Sequence, residues 1–224
     1  MVISPTEQLP GVSLKLPSDF HLLPLDPDLA NRVAAQSELL DALPLAGGDR
    51  RELVALYVEA LATRLRDADV AGAAFCAVRI DDHASTATLT VGYHSTATTD
   101  RTLALLGTVA TLRGSEDMTS VETTTYAGHP AATWIAERVL PGSDGGADDL
   151  VLRELQVLVQ APEEPVAVLI TLATPNLEDW PIYRDVVRSI CETIEFQPAL
   201  DSEESDHGRV LLLPVGDGSG GREQ

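Results

Sequence analysis

The order of patterns in this 224-residue chain predicts an α+β fold, a central and mostly antiparallel sheet sandwiched between helices. Three observations carry the prediction. Between residues 73 and 174, runs rich in β-branched and apolar residues come in pairs, split by short turn-forming segments, as β-hairpins require. One run, Val166-Ala167-Val168-Leu169-Ile170, is apolar on both faces and needs cover on each side, which implies three layers. Segments with apolar residues three and four positions apart flank the runs and can supply that cover.

In chain order, Val12 to Leu16 alternate as a strand, Pro17-Ser18-Asp19 turn the chain, and a second short apolar strand over 20–25 predicts a first hairpin. Asp26 before Pro27 offers an N-cap ahead of a helical proline. Leu29, Val33, Gln36 and Leu40 then keep helical spacing until Pro44 and Gly47-Gly48. Asp49 with Glu52 resembles a capping box, and Val54, Val58, Leu61 and Leu65 mark the apolar face of a second helix, paired with the first.

Residues 73–80 and 86–93 flank Asp81-Asp82-His83-Ala84-Ser85, with Ala87, Leu89, Val91 and Tyr93 on the buried face of the second strand. Thr99 and Asp100 open a helix with a stripe of Leu105, Leu106, Val109 and Leu112, closed by Gly114. Strands over 121–126 and 131–139 enclose Ala127-Gly128-His129-Pro130, with Trp134 or Ile135 aimed at the core. After a flexible tip at 141–146, strands over 150–160 and 165–174 enclose Ala161-Pro162-Glu163-Glu164. Pro181 fits only the first turn of a last helix, in which Ile182, Val186, Ile190 and Ile194 lie four apart and which ends near Phe196. The expected organisation is an N-terminal tail over 1–10, one domain over 11–196 and an acidic, Gly-rich tail over 197–224 carrying an apolar segment at 210–215.

Composition limits the partners. A formal charge of −20 repels phosphate backbones and anionic lipid over about 8–10 Å, which argues against nucleic acid and membrane surfaces. Solubility or a salty cytoplasm explains such a charge without any partner, and the alternative is steering of a basic one. Lys15 is the only lysine among many Arg, Ala, Leu, Thr and Val, a bias expected of GC-rich, actinobacterial coding. The first residues lack a basic-then-apolar leader or a lipidation cysteine, and no apolar run nears the roughly 20 residues of a bilayer span. Cys76 and Cys191 both sit in apolar settings, as small buried hydrophobes do, and a reduced, cytoplasmic protein is expected.

The segments Leu16-Pro17-Ser18-Asp19-Phe20, Tyr126-Ala127-Gly128-His129-Pro130-Ala131 and Ile170-Thr171-Leu172-Ala173-Thr174 resemble the early strand and proline turn, the glycine hairpin and the strand before the last helix of the PsbP-like fold group. That group takes in the photosystem II extrinsic subunit, the Ran-binding Mog proteins and actinobacterial LpqN-type lipoproteins. The resemblance implies an α/β/α arrangement and a mostly non-enzymatic role in binding other proteins, with no catalytic residue to carry over. The chain departs from the lipoprotein members in lacking a signal and lipidated cysteine, and from the photosynthetic members in lacking a transit segment.

Motifs for hydrolase, nucleotide and metalloprotease chemistry are absent, and no cofactor or metal is expected. His94 beside Ser95, with His129 on another turn, has the residue types of a base and nucleophile, but strand-end turn residues account for them better. Asp81-Asp82-His83 offers metal-capable side chains that also suit a plain turn, and Asp144, Asp148 and Asp149 lack calcium-loop spacing. Val210, Leu211, Leu212, Leu213 and Val215 are the candidate partner-binding residues. An apolar run inside a polar tail either docks on its own sheet edge or adds a strand to a partner.

The expected function is a non-enzymatic, cytoplasmic protein-interaction module that engages a basic or secretion-linked protein through its acidic surface or a sheet edge, with homo-oligomerisation through edge strands a third reading. The alternative is a small-ligand carrier or enzyme with a pocket between sheet and helices, near Trp134, Tyr126 or Trp180.

Overall fold

The computed structural model describes residues 9–26, 28–42, 48–68, 70–114, 118–140, 149–197 and 210–214. The described strands form two sheets. The larger has seven antiparallel strands in the order β2 (Phe20–Leu22), β3 (Gly72–Ile80), β4 (His83–Ser95), β8 (Val166–Thr174), β7 (Leu150–Gln160), β6 (His129–Leu140) and β5 (Met118–Tyr126). The smaller runs β10 (Val210–Pro214), β1 (Gly11–Leu16), β9 (Glu195–Gln197), with β10 parallel and β9 antiparallel to β1.

All three hairpins expected between residues 73 and 174 form. The β5–β6 turn places Ala127 and Gly128 at φ +47° and +82°, as a type I′ turn requires of both central residues, and pairs Tyr126 with His129. The β3–β4 turn is shorter than the five-residue loop expected: only Asp81 and Asp82 lie outside the ladder, and His83 already pairs with Ile80.

Strand β8 is covered on both sides. Its Val168, Ile170 and Leu172 meet one face, where Leu14 and Leu16 of β1 and Val187 and Ile190 of α4 (Trp180–Cys191) complete the main core. Its Ala167 and Leu169 meet the other, under Leu105 and Val109 of α3 (Arg101–Arg113) with Trp134. Further along that second face, Leu39 of α1 (Leu29–Ala42) and Val58 of α2 (Gly48–Asp67) pack with Leu23 and Ala73. Gln36 Nε2 donates to the Ala55 carbonyl at 2.6 Å and ties the two helices together. The predicted helix-sheet-helix sandwich is therefore present, with the cover on one face shared between a helix and the small sheet.

Several local expectations are corrected. The first hairpin does not form, because the tight turn at 17–20, closed by Phe20 N–H to the Pro17 carbonyl at 3.0 Å, passes the chain from one sheet to the other. Strand β1 lies over the large sheet and buries Val12, Leu14 and Leu16, while Phe20 pairs with Cys76 at the sheet edge. The cap of α1 is Asp28, whose Oδ1 accepts from the N–H groups of Ala30 and Asn31, and Asp26 instead caps Asp28. Leu29, Val33 and Leu106 are exposed. Helix α4 buries Tyr183, Val187, Ile190 and Cys191, and Ile182 is 47% exposed. A strict four-residue repeat turns about 40° past a full circle at each step, so the series that starts at the exposed Ile182 comes round onto the core by the buried Ile190. The helix stops at Cys191, and Phe196 belongs to β9.

Candidate functional site

Two features qualify, an open strand edge and a polar cluster at a hairpin tip. The apolar tail segment pairs in register with β1, from Val12 opposite Val210 to Leu16 opposite Pro214. Leu212 is buried, Val210 half-buried and Leu213 44% exposed; the side chain of Leu211 and all of Val215 lie outside the described residues. Val210 and Leu212 sit over Gly72 of β3, where a Cβ would come within 3.0 Å of Val210 Cγ1. On its far side β10 has no strand partner among the described residues.

The polar cluster is built by Asn176. Its Oδ1 accepts from Thr86 N–H at 2.9 Å and its Nδ2 donates to the Ala84 carbonyl at 3.3 Å, so its side chain mimics a strand neighbour of β4. That clamp sets the 3-10 turn Leu177–Asp179 against the β3–β4 hairpin. His83 Nε2 lies 2.8 Å from Asp179 Oδ2 and 3.7 Å from Glu178 Oε1. Asp179 is buried at 4% exposure, whereas the His83 imidazole is partly open and Glu178 is exposed. The Asp179 carboxylate also accepts from Ser85, whose Oγ is 2.8 Å from the Tyr183 hydroxyl.

Charge follows from these contacts. The hydrogen bond to Asp179 raises the His83 pKa above its ordinary value, and the bonds from Ser85 and His83 lower that of Asp179. Burial pushes the Tyr183 phenol up to about 12, so it stays protonated and can donate to Ser85. Glu178 and Asp179 were not among the candidate residues. The signal available for them was a pair of acids directly ahead of a helix with proline in its first turn.

Other candidates separate. His94 and Ser95 end β4, and His129 begins β6, with β8 and β7 between them. At about 4.8 Å per strand this is roughly 14 Å, too far for a base and nucleophile to touch. Trp134 lies beneath α3 while Tyr126 and Trp180 lie on the opposite face, so they line no common pocket, and none of them sits with α1 and α2. An open cleft of about 500 Å³ is lined by Lys15, His129, Glu192 and Phe196 among others. There His129 meets Phe196 edge-on at 4.8 Å, and burial lowers its pKa. Asp144 and Asp148 lie outside the described residues, and Asp149 is exposed.

No known protein family matches this chain, and no curated protein matches it. A solved structure, LpqN involved in cell envelope biogenesis of Mycobacterium tuberculosis, is similar at 14% identity over 84% of each chain, with a TM-score of 0.43. A likeness of that degree carries no chemistry or partner across to this chain.

Proposed function

We propose that the chain is a non-enzymatic protein-interaction module of a reducing, cytoplasmic compartment, and that it captures an extended segment of a partner by strand addition along β10. What supports this reading is the outer edge of β10, which offers backbone donors and acceptors beside the exposed Leu213. The formal charge of −20 favours a basic partner and speeds its approach. Two free, buried cysteines fit the compartment.

The test is quantitative capture from the native cell with the wild-type chain and with Leu213→Asp, a change at an exposed position. The expected result is a partner retained at low salt, weakened by added salt and lost with the variant. No salt-sensitive partner, or equal retention by the variant, refutes the proposal. Self-association is the competing outcome, read as a doubled mass in solution that Leu213→Asp returns to the single-chain value.

A further inference from the structure

We propose that His83, Asp179 and Glu178 form a binding site for a divalent transition cation, zinc above others, with a further coordination position open to water or an external ligand. The donor atoms, one imidazole nitrogen and two carboxylate oxygens, lie within 4.8 Å of one another. In a tetrahedral zinc site with bonds of about 2.0–2.1 Å, ligand atoms stand about 3.3 Å apart. The separations of 2.8 and 3.7 Å from His83 to the two carboxylates bracket that value, and the two carboxylates, within 4.8 Å of each other, can close on an ion by movement of the exposed Glu178.

A support shell accompanies the donors. A liganding carboxylate is ordinarily held by its own hydrogen bonds, and Asp179 is held by the fully buried Ser85, itself fixed by the buried Tyr183. The ligand-bearing turn is clamped to the hairpin through Asn176, so the nitrogen and oxygen donors, 96 positions apart in sequence, are presented together by rigid elements. The charge balance points the same way. With a neutral imidazole, the buried Asp179 and its neighbour Glu178 are two anions beside Asp81 and Asp82. The nearby Arg79 is turned to the Asp82 carbonyl at 3.3 Å. A divalent ion supplies the missing positive charge at the neutral imidazole, in place of the proton that His83 otherwise carries. The mixed nitrogen and oxygen set suits zinc and disfavours magnesium and calcium, which take oxygen donors.

The experiment is calorimetric titration of Zn²⁺ into the chelator-stripped full chain, repeated with Ca²⁺, Glu178→Gln and His83→Ala. We expect one saturating Zn²⁺ site with a rise in Tm, no such site for Ca²⁺, about tenfold or greater weakening by Glu178→Gln and loss of the site with His83→Ala. Glu178 is exposed and the glutamine variant keeps the fold, so it decides the matter even if His83→Ala disturbs the hairpin. Absence of saturable Zn²⁺ binding, or equal binding by wild type and Glu178→Gln, overturns the proposal and leaves a plain ion pair.

Discussion

His83 and Asp179 stabilise one another most while both are charged, which gives the pair a pH window. The folded-state pKa of His83 is raised above 6.5, so its contribution is complete below that value and is lost as pH rises through the folded pKa. The folded-state pKa of Asp179 is lowered below 3.8, so its contribution is present above that value and is lost as pH falls through the folded pKa. The difference in Tm between wild type and His83→Ala should therefore be largest near about pH 5 and shrink toward both extremes. A difference that does not change with pH contradicts the pairing. From the sequence His83 reads as a turn former, since its partners lie 95 and 96 positions away and no periodicity links them. The oxyanion of Asp179 reads as a helix-start acid for the same reason.

At the level of elements, α4 allows the same substitution on two faces. Ile190→Ala, at 1% exposure, should cost about 2–5 kcal/mol, while Ile182→Ala should cost under about 1 kcal/mol, both read by denaturant unfolding. Near-equal costs would mean that the helix is rotated from its described face. The contact of β10 with β3 gives a second check. Gly72→Ala should destabilise by about 1–3 kcal/mol, and Val210→Ala in the same chain should recover part of that loss, because the added methyl meets Val210. Hairpin strands were legible because period-two alternation and turn residues are local signals, as in Ala87, Leu89 and Val91. The destination of β1 was not, since Val12, Leu14 and Leu16 alternate identically whichever sheet receives them. The face of α4 was legible for Val186 and Ile190, and just past its end for Ile194, which meet the main core, but nothing local chooses between Ile182 and Tyr183 at the start of the helix.

For the whole molecule, the excess of acids predicts that Tm rises as salt is added from low ionic strength, because screening relieves repulsion within a chain of charge −20. A Tm that falls with salt would instead show attractive pairs dominating. Removing residues 209–224 uncovers one side of β1 and takes away the buried Leu212, and Tm should drop by about 5 °C or more. An unchanged Tm would mean that β10 contributes nothing to the small sheet. Layering was legible from the doubly apolar Val166–Ile170 run, yet the second sheet was not, because its three strands come from residues 11–16, 195–197 and 210–214 and share no local pattern. That pairing also orders events during synthesis. Since Val12 pairs with Val210, an apolar strand must wait, without its β10 neighbour, until the long stretch of chain between them has been made. Chaperones that shield apolar strands awaiting a distant partner would find a long-lived target in residues 11–16.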